Sequence, residues 1–330
     1  MNILILSAGT RCKIVDYYRE LLKGEGMVIA TDCSPDAPAL YVADKGEIVP
    51  RITAPDYLET ILQIVSRYDV RGCFSLIDPE LSLLAREQEL FKALGCTPMI
   101  SPYPLVEECF HKAKTAGLFT RSGLSSAISC RNLAEFNAER EAGRLDFPVF
   151  VKPEDGSASM DICRVDDEDT LINLISHDDN LMIQEYMDCP EYGADCYIDM
   201  ISGRLVSVFL KRKLRMRAGE TDKSVSVADE KLFSQIAEFV EKAGFRGQID
   251  IDLFRRNGEW IFSEINPRYG GGYPHAWACG VDMPSLYLNN LKGKANDVRL
   301  GGYPEGIVMM KYSELAVRRL DDAEFAALQE

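Results

Sequence analysis

Short apolar runs alternate with amphipathic stretches through the first hundred residues. Residues 3–6 lead into Ser7-Ala8-Gly9-Thr10, helical spacing follows over 12–22, and the run 27–31 ends at Asp32. Between Pro55 and Tyr68, the positions Tyr57, Leu58, Ile61, Leu62, Ile64 and Val65 recur at the three-to-four-residue period of an amphipathic helix. Residues 72–76 read as a strand running into Asp78-Pro79-Glu80. This alternation predicts a parallel sheet with ligand contacts at the carboxyl ends of its strands.

The pattern changes near residue 101. Pro102 and Pro104 punctuate the entry, 112–122 has helical spacing, and Phe147-Pro148-Val149-Phe150-Val151-Lys152-Pro153 is a strand ending in a loop of small residues. Two short strands joined by such a loop predict a lid. From 181 onward strands dominate, over 181–185, 196–201, 205–210, 248–254 and 260–265, with a helix over 231–243. The fold class is α/β with α+β lobes: a parallel-sheet domain over 1–100, a small central lid over 101–180 and a mostly antiparallel C-terminal domain over 181–330.

At 330 residues the chain is long enough for several lobes around a cleft, and 46% hydrophobic and 27% charged residues are ordinary globular values. The formal charge of -15 opposes long-range attraction to nucleic acid or to an anionic membrane. Neither is expected as a partner. Ten cysteines without a Cys-x-x-Cys pair, beside three histidines, give no zinc or redox motif, and a reducing cytoplasm is the expected location. The apolar start, residues 1–6, is too short for a signal segment or a membrane span and reads as a first strand.

Candidate chemistry concentrates near the carboxyl end. Alternation in Gln248-Ile249-Asp250-Ile251-Asp252-Leu253-Phe254 puts Asp250 and Asp252 on one face. Arg255-Arg256-Asn257-Gly258 supplies a hairpin turn, and Trp260-Ile261-Phe262-Ser263-Glu264-Ile265-Asn266 brings Glu264 and Asn266 to a common side. Asp252, Glu264 and Asn266 then form an oxygen-rich patch suited to a hard divalent cation such as Mg²⁺. Asp250 is the alternative to Asp252, since one sequence does not fix the register.

Glu264-Ile265-Asn266-Pro267-Arg268, ending a hairpin whose first strand carries acids, resembles the metal-binding signature of the ATP-grasp superfamily. It is especially similar to the branch with carbamoyl phosphate synthase large-subunit domains, biotin carboxylase and the pyrrolysine-pathway ligase. The resemblance implies an ATP-grasp fold with an N-terminal Rossmann-like domain, and ATP with Mg²⁺ (or Mn²⁺) as cofactors. It makes Asp252, Glu264 and Asn266 metal ligands, and Arg268, Lys152 and Asn266 catalytic residues. Lys152 resembles the strand lysine that contacts ATP phosphates, and Gly156, Ser157 and Ser159 the phosphate-covering loop. Lys112 matches the first nucleotide-contacting lysine, with Lys114 as its alternative. Glu185, Tyr186 and Met187 resemble the adenine hinge, and Glu191 the ribose-binding acid. Lys213 joins the nucleotide set from the alternating stripe Lys211, Lys213, Arg215 and Arg217, which reads as a phosphate-steering edge or a charged sheet edge.

The expected reaction joins a small carboxylate, amino-acid-like, to an amine through an acyl phosphate, with release of ADP and phosphate. Arg11, Asp78, Glu80, Arg268, Gly270 and Gly271 are the substrate candidates: Arg11 for a carboxylate, Asp78 and Glu80 for an amine, and the glycines for close backbone approach. Expected partners are small-molecule carboxylates and amines, and a homodimer is compatible. The alternatives are a phosphorylating subunit of a split carbamoyl phosphate synthase-like system and a non-catalytic ATP-binding module. A dinucleotide-dependent oxidoreductase fails on the missing Gly-x-Gly-x-x-Gly after the first strand.

Overall fold

The computed structural model describes residues 1–154, 163–178 and 180–320. A five-stranded parallel sheet of order β3-β2-β1-β4-β5 comes first, from β1 (Asn2–Leu6), β2 (Val28–Asp32), β3 (Lys45–Ile48), β4 (Val70–Ser75) and β5 (Thr97–Pro98). Its connecting helices are α1 (Cys12–Leu21), α2 (Ala39–Val42), α3 (Tyr57–Arg67), α4 (Asp78–Arg86) and α5 (Gln88–Ala93). Apolar side chains are needed on both faces of β1, because Ile3 and Ile5 enter one core while Leu4 and Leu6 enter another.

Helices α6 (Tyr103–Phe110) and α7 (Lys112–Arg121) lead to a four-stranded antiparallel sheet of order β6-β9-β7-β8. Its strands are β6 (Ser129–Cys130), β7 (Val149–Pro153), β8 (Cys163–Val165) and β9 (Leu181–Glu185), with α8 (Leu133–Glu141) and α9 (Glu168–His177) packed on them. Asn132 and Asp167 cap the two helices by accepting from the N–H groups of Glu135 and Thr170. Although the sequence pattern groups Leu181–Glu185 with the later strands, its pairing is with β6 and β7. The physical reason is that Leu181 and Ile183 fill the same small core as Val149, Val151 and Phe136.

The third sheet has order β14-β13-β10-β11-β12-β16, with β15 pairing β11 off this path. It comprises β10 (Glu191–Ile198), β11 (Leu205–Arg217), β12 (Glu220–Val227), β13 (Gly247–Arg256), β14 (Glu259–Asn266), β15 (Arg299–Leu300) and β16 (Val308–Met310). All pairs are antiparallel except β11 with β15. Helix α10 (Glu230–Ala243) starts at Asp229, whose side chain accepts from the Lys231 and Leu232 N–H groups, and ends at left-handed Gly244. Helices α11 (Tyr273–Ala278) and α12 (Met283–Leu291) return to the parallel sheet.

One continuous core joins the first and third sheets, running from Ile3, Tyr18 and Phe74 to Phe209, Tyr269 and Tyr287. Polar ends of the aromatics find partners inside it: the Tyr18 and Tyr269 hydroxyls lie 2.9 Å apart, and Tyr287 donates to the Thr97 carbonyl at 2.6 Å. Gly72 makes that docking feasible, since a Cβ there would come within 2.4 Å of the Tyr287 hydroxyl. Among the described residues no helix is long and apolar enough to cross a membrane.

Candidate active site

The hairpin of β13 and β14 turns through Asn257 and Gly258, both at positive φ (53° and 87°), as a two-residue turn compatible with strand twist requires. The turn pairs Arg256 with Glu259 through Leu253 with Phe262, and a one-residue register shift then places Asp252 opposite Glu264 and Asp250 opposite Asn266. The pairing slips just after Asp252, and such bulges re-aim side chains.

Two lysines of β11 thread between acids of the neighbouring strands. Lys213 Nζ donates to Asp252 Oδ1 at 2.6 Å and to Glu191 Oε1 at 2.8 Å. Lys211 Nζ donates to Asp195 Oδ2 at 2.5 Å and lies 3.8 Å from Asp250 Oδ1. Burial pushes the carboxyls of Glu191, Asp195 and Asp250 up against the pull of the lysines. Burial likewise opposes the charge on Lys211 and Lys213, but the acids more than reverse it and hold both lysines protonated. Four carboxylates thus face two lysines, and Asp195 Oδ1 and Asp250 Oδ1 are buried without a hydrogen bond. The surplus negative field is one that cations neutralise.

Across from this ladder, β7 carries Lys152, almost fully buried. Burial lowers its pKa, while Glu264, Asp252 and Glu191 oppose that shift and Lys112 adds to it. Lys152, Lys112 and the hairpin acids therefore share one electrostatic neighbourhood. Lys112 opens α7, and its backbone N–H donates to the Glu154 carbonyl at 3.2 Å. Its charge acts on Lys152, whereas Lys114 is exposed.

Arg268 follows β14 and grips Asp78 with two hydrogen bonds, Nε to Oδ1 at 2.8 Å and Nη2 to Oδ2 at 2.7 Å, while Nη2 also reaches Asn266 Oδ1 at 3.1 Å. A crevice lined by Asp78, Val106, Cys109, Phe110, Glu264 and Asn266 opens beside it. No group of three or more His, Cys, Asp or Glu side chains among the described residues is arranged to hold a metal. The donor set Asp252, Glu264 and Asn266 still fits Mg²⁺, which takes one or two carboxylates and completes its shell with phosphate oxygens and water.

Residues 3–100 match the family described as "PylC-like, N-terminal domain", and residues 177–313 match "ATP-grasp in the biosynthetic pathway with Ter operon". Residues 177–313 are an ATP-grasp domain. A D-alanine--D-alanine ligase of Ruminiclostridium cellulolyticum is 24% identical over 174 residues, covering 45% of this chain and 46% of that enzyme, less than half of that relative's length. Among solved structures, the biotin carboxylase domain of Hydrogenobacter thermophilus 2-oxoglutarate carboxylase, in complex with MgADP, ADP and bicarbonate, aligns with a TM-score of 0.73 at 16% identity, over 91% of this chain and 73% of that one. Staphylococcus aureus N5-carboxyaminoimidazole synthetase complexed with ADP gives 0.70 at 15%, over 90% and 78%. The L-amino acid ligase of Bacillus licheniformis gives 0.67 at 18%, over 90% and 75%. At such identities the likeness is one of fold, and it agrees with the fold class read from the sequence.

The other candidates stand in varied surroundings. Glu185 ends β9 with its carboxylate held by Arg256 and the Ile128 N–H, Arg256 Nη1 lies 4.0 Å from the Met187 sulfur, and Arg164 covers the Tyr186 ring at 4.8 Å. Glu80 is buried, accepting from Ser75, and burial pushes its carboxyl to about 8. The space over Gly270 is filled by the Asp250 carboxylate, 2.3 Å from where a Cβ would stand, and that over Gly271 by Glu220 and Arg11. These glycines admit the protein's own charged groups. Gly156, Ser157 and Ser159 lie outside the described residues.

The basic stripe is not continuous. Lys211 is buried and the Lys213 side chain is largely covered, the register of β11 slips on either side of Arg215, and Arg215 and Arg217 flank Asp222 at 3.7 and 3.6 Å. Asp195, Glu220, Arg256 and Lys311 were not singled out by sequence. Alternation in Glu191-Tyr192-Gly193-Ala194-Asp195 was the available signal for Asp195, but it becomes decisive only once β10 is known to lie between β11 and β13.

Proposed function

We propose that this protein is an ATP- and Mg²⁺-dependent carboxylate–amine ligase that works through an acyl phosphate. The observation that carries this reading is the facing of Asp252 with Glu264 and of Asp250 with Asn266, within the field of Lys152 and Lys112. Asp252, Glu264 and Asn266 would hold Mg²⁺, which when bound neutralises charge on the triphosphate; Mn²⁺ suits the same oxygen donors. Lys152 meets the phosphates from the opposite wall as a desolvated cation. Lys112 contributes from the start of α7, and Glu191 and the Glu185–Met187 hinge hold the nucleoside.

Arg268, fixed on two sides by Asp78 and Asn266, orients the carboxylate for in-line attack on the γ-phosphorus. A carboxylate oxygen forms the new P–O bond and ADP leaves. The amine then attacks the acyl carbon, phosphate departs with the C–O electron pair, and the amine's proton passes to solvent. Positioning and charge stabilisation account for most of the rate. The substrates are small molecules, one of them amino-acid-like, and ten free thiols fit a reducing cytoplasm.

The test pairs a substrate screen with a variant. Amino acids and small dicarboxylates are assayed two at a time for ADP and phosphate release, with mass analysis of condensed products. Glu264→Ala is expected to remove Mg²⁺-dependent ADP formation by about 10³-fold or more while the melting temperature holds. Activity near wild type in that variant refutes the assignment.

A further inference from the structure

Beside the transfer centre lies a second charged group that the reaction leaves unused. Arg11 sits at the N-terminal boundary of α1, Glu220 opens β12 after the turn at Ala218 and Gly219, and Lys311 follows β16. Arg11 Nη2 is 2.8 Å from Glu220 Oε1, and Lys311 Nζ donates to Glu220 Oε2 at 2.7 Å. Each carboxylate oxygen has its own cation, one from the parallel-sheet lobe and one from the end of the seven-stranded sheet. Lys311 is held in turn by its backbone N–H, which donates to the Asp222 carbonyl at 2.9 Å.

Gly271 makes the room for this bridge. A Cβ there would stand 2.9 Å from Glu220 Cδ and 3.0 Å from Arg11 Nη1. The bridge also borders the transfer point, because the charges of Arg268, Asp78 and Asp250 all act on Arg11. Burial pushes the Glu220 carboxyl up, and Arg11 and Lys311 more than reverse this, leaving it ionised. Side-chain exposures of 25% for Arg11, 33% for Glu220 and 25% for Lys311 keep the bridge within reach of a solute.

A clamp between lobes is the plainer reading, yet pairs this exposed contribute only about 0–1 kcal/mol. Two cations converging on the two oxygens of one carboxylate is also the arrangement by which proteins recognise carboxylate ligands. We propose that Arg11 and Lys311 form the seat for the carboxylate of an amino-acid substrate, and that Glu220 is its internal stand-in, displaced when that carboxylate arrives. The proposal rests on the ligase reading for its substrate class. It adds Lys311 and Glu220 as specificity-determining residues and explains why the post-hairpin loop carries glycine at 271.

The test is calorimetric titration at low salt without ATP, using glycine, acetate and glycinamide as probes on wild type, Glu220→Gln and Lys311→Met. Glu220→Gln removes the competing charge and is expected to bind glycine and acetate about tenfold more tightly than wild type. Lys311→Met is expected to bind them at least tenfold more weakly, and glycinamide, which has no carboxylate, should not bind to any of the three. An unchanged affinity in Glu220→Gln or Lys311→Met, or glycinamide binding as well as glycine, overturns the proposal. A gain in affinity does not arise from misfolding, so Glu220→Gln decides even if Lys311→Met is unstable. No turnover is read, so glycine binding retained in Glu264→Ala keeps this seat separate from the fate of the ligase reading.

Discussion

Where the parallel and seven-stranded sheets share one core, the four-stranded sheet keeps a core of its own. The shared platform holds the hairpin acids, the lysine ladder and the Arg268–Asp78 pair; the small sheet supplies Lys152. Links between the two bodies are local: Phe262 N–H to the Ser125 carbonyl at 2.8 Å, Lys112 N–H to the Glu154 carbonyl, and Arg256 on Glu185. The difference teaches that the acids, their lysine partners and the Arg268–Asp78 pair sit on one packed body, while the proposed phosphate-facing cation, Lys152, sits on another. The latter can adjust without disturbing the acids.

Paired lysine substitutions sharpen this contrast. Lys152→Met is expected to lower the rate of ADP formation by about 10²–10³-fold while the platform melts as before, because on the proposed reading it removes a phosphate-facing cation carried by the small sheet and not by the platform. Steady-state kinetics beside calorimetric melting checks it. An equal loss of stability would erase the distinction between the bodies.

Lys211→Met, on the platform, should instead cost about 3–5 kcal/mol of stability, since it strands Asp195 and Asp250 as unpaired buried acids. Denaturant unfolding measures this, and adding Asp195→Leu should recover part of the loss.

A comparable effect, spread over several pH units, concerns pH. Glu80 lies on the platform with its carboxyl raised from 4.5 to about 8, so between those values the folded state holds a proton that the unfolded chain has released. Stability therefore falls as pH rises through this window, by the order of a few kcal/mol, and levels off above it. Melting curves across that range should show a shallower slope for Glu80→Gln. A slope identical to wild type would remove Glu80 from the account.

Much of the hairpin was legible because its information is local. A period of two fixes how side chains alternate along each strand, and Asn257-Gly258 fixes where the chain reverses, but the opposition of Asp252 with Glu264 came only with the register shift after Asp252. That Lys112 rather than Lys114 lies in the field of Lys152 was not local; it depends on how α7 meets β7. The assignment of Leu181–Glu185 to the small sheet was hidden for a similar reason, because an apolar alternating strand suits either core until its partners are known.

By itself the sequence determined the succession of strands and helices, the acid-bearing hairpin and an α/β fold class, all encoded in patterns a few residues long, while the ATP-grasp fold followed from the resemblance of Glu264-Ile265-Asn266-Pro267-Arg268 to that family. Only the tertiary structure decided that Lys211 lies between Asp195 and Asp250, that Arg268 reaches back to Asp78, and that Arg11 and Lys311 meet on Glu220. These contacts join positions far apart along the chain, and a buried charge finds its counter-charge through strand order and packing, which no local spacing records.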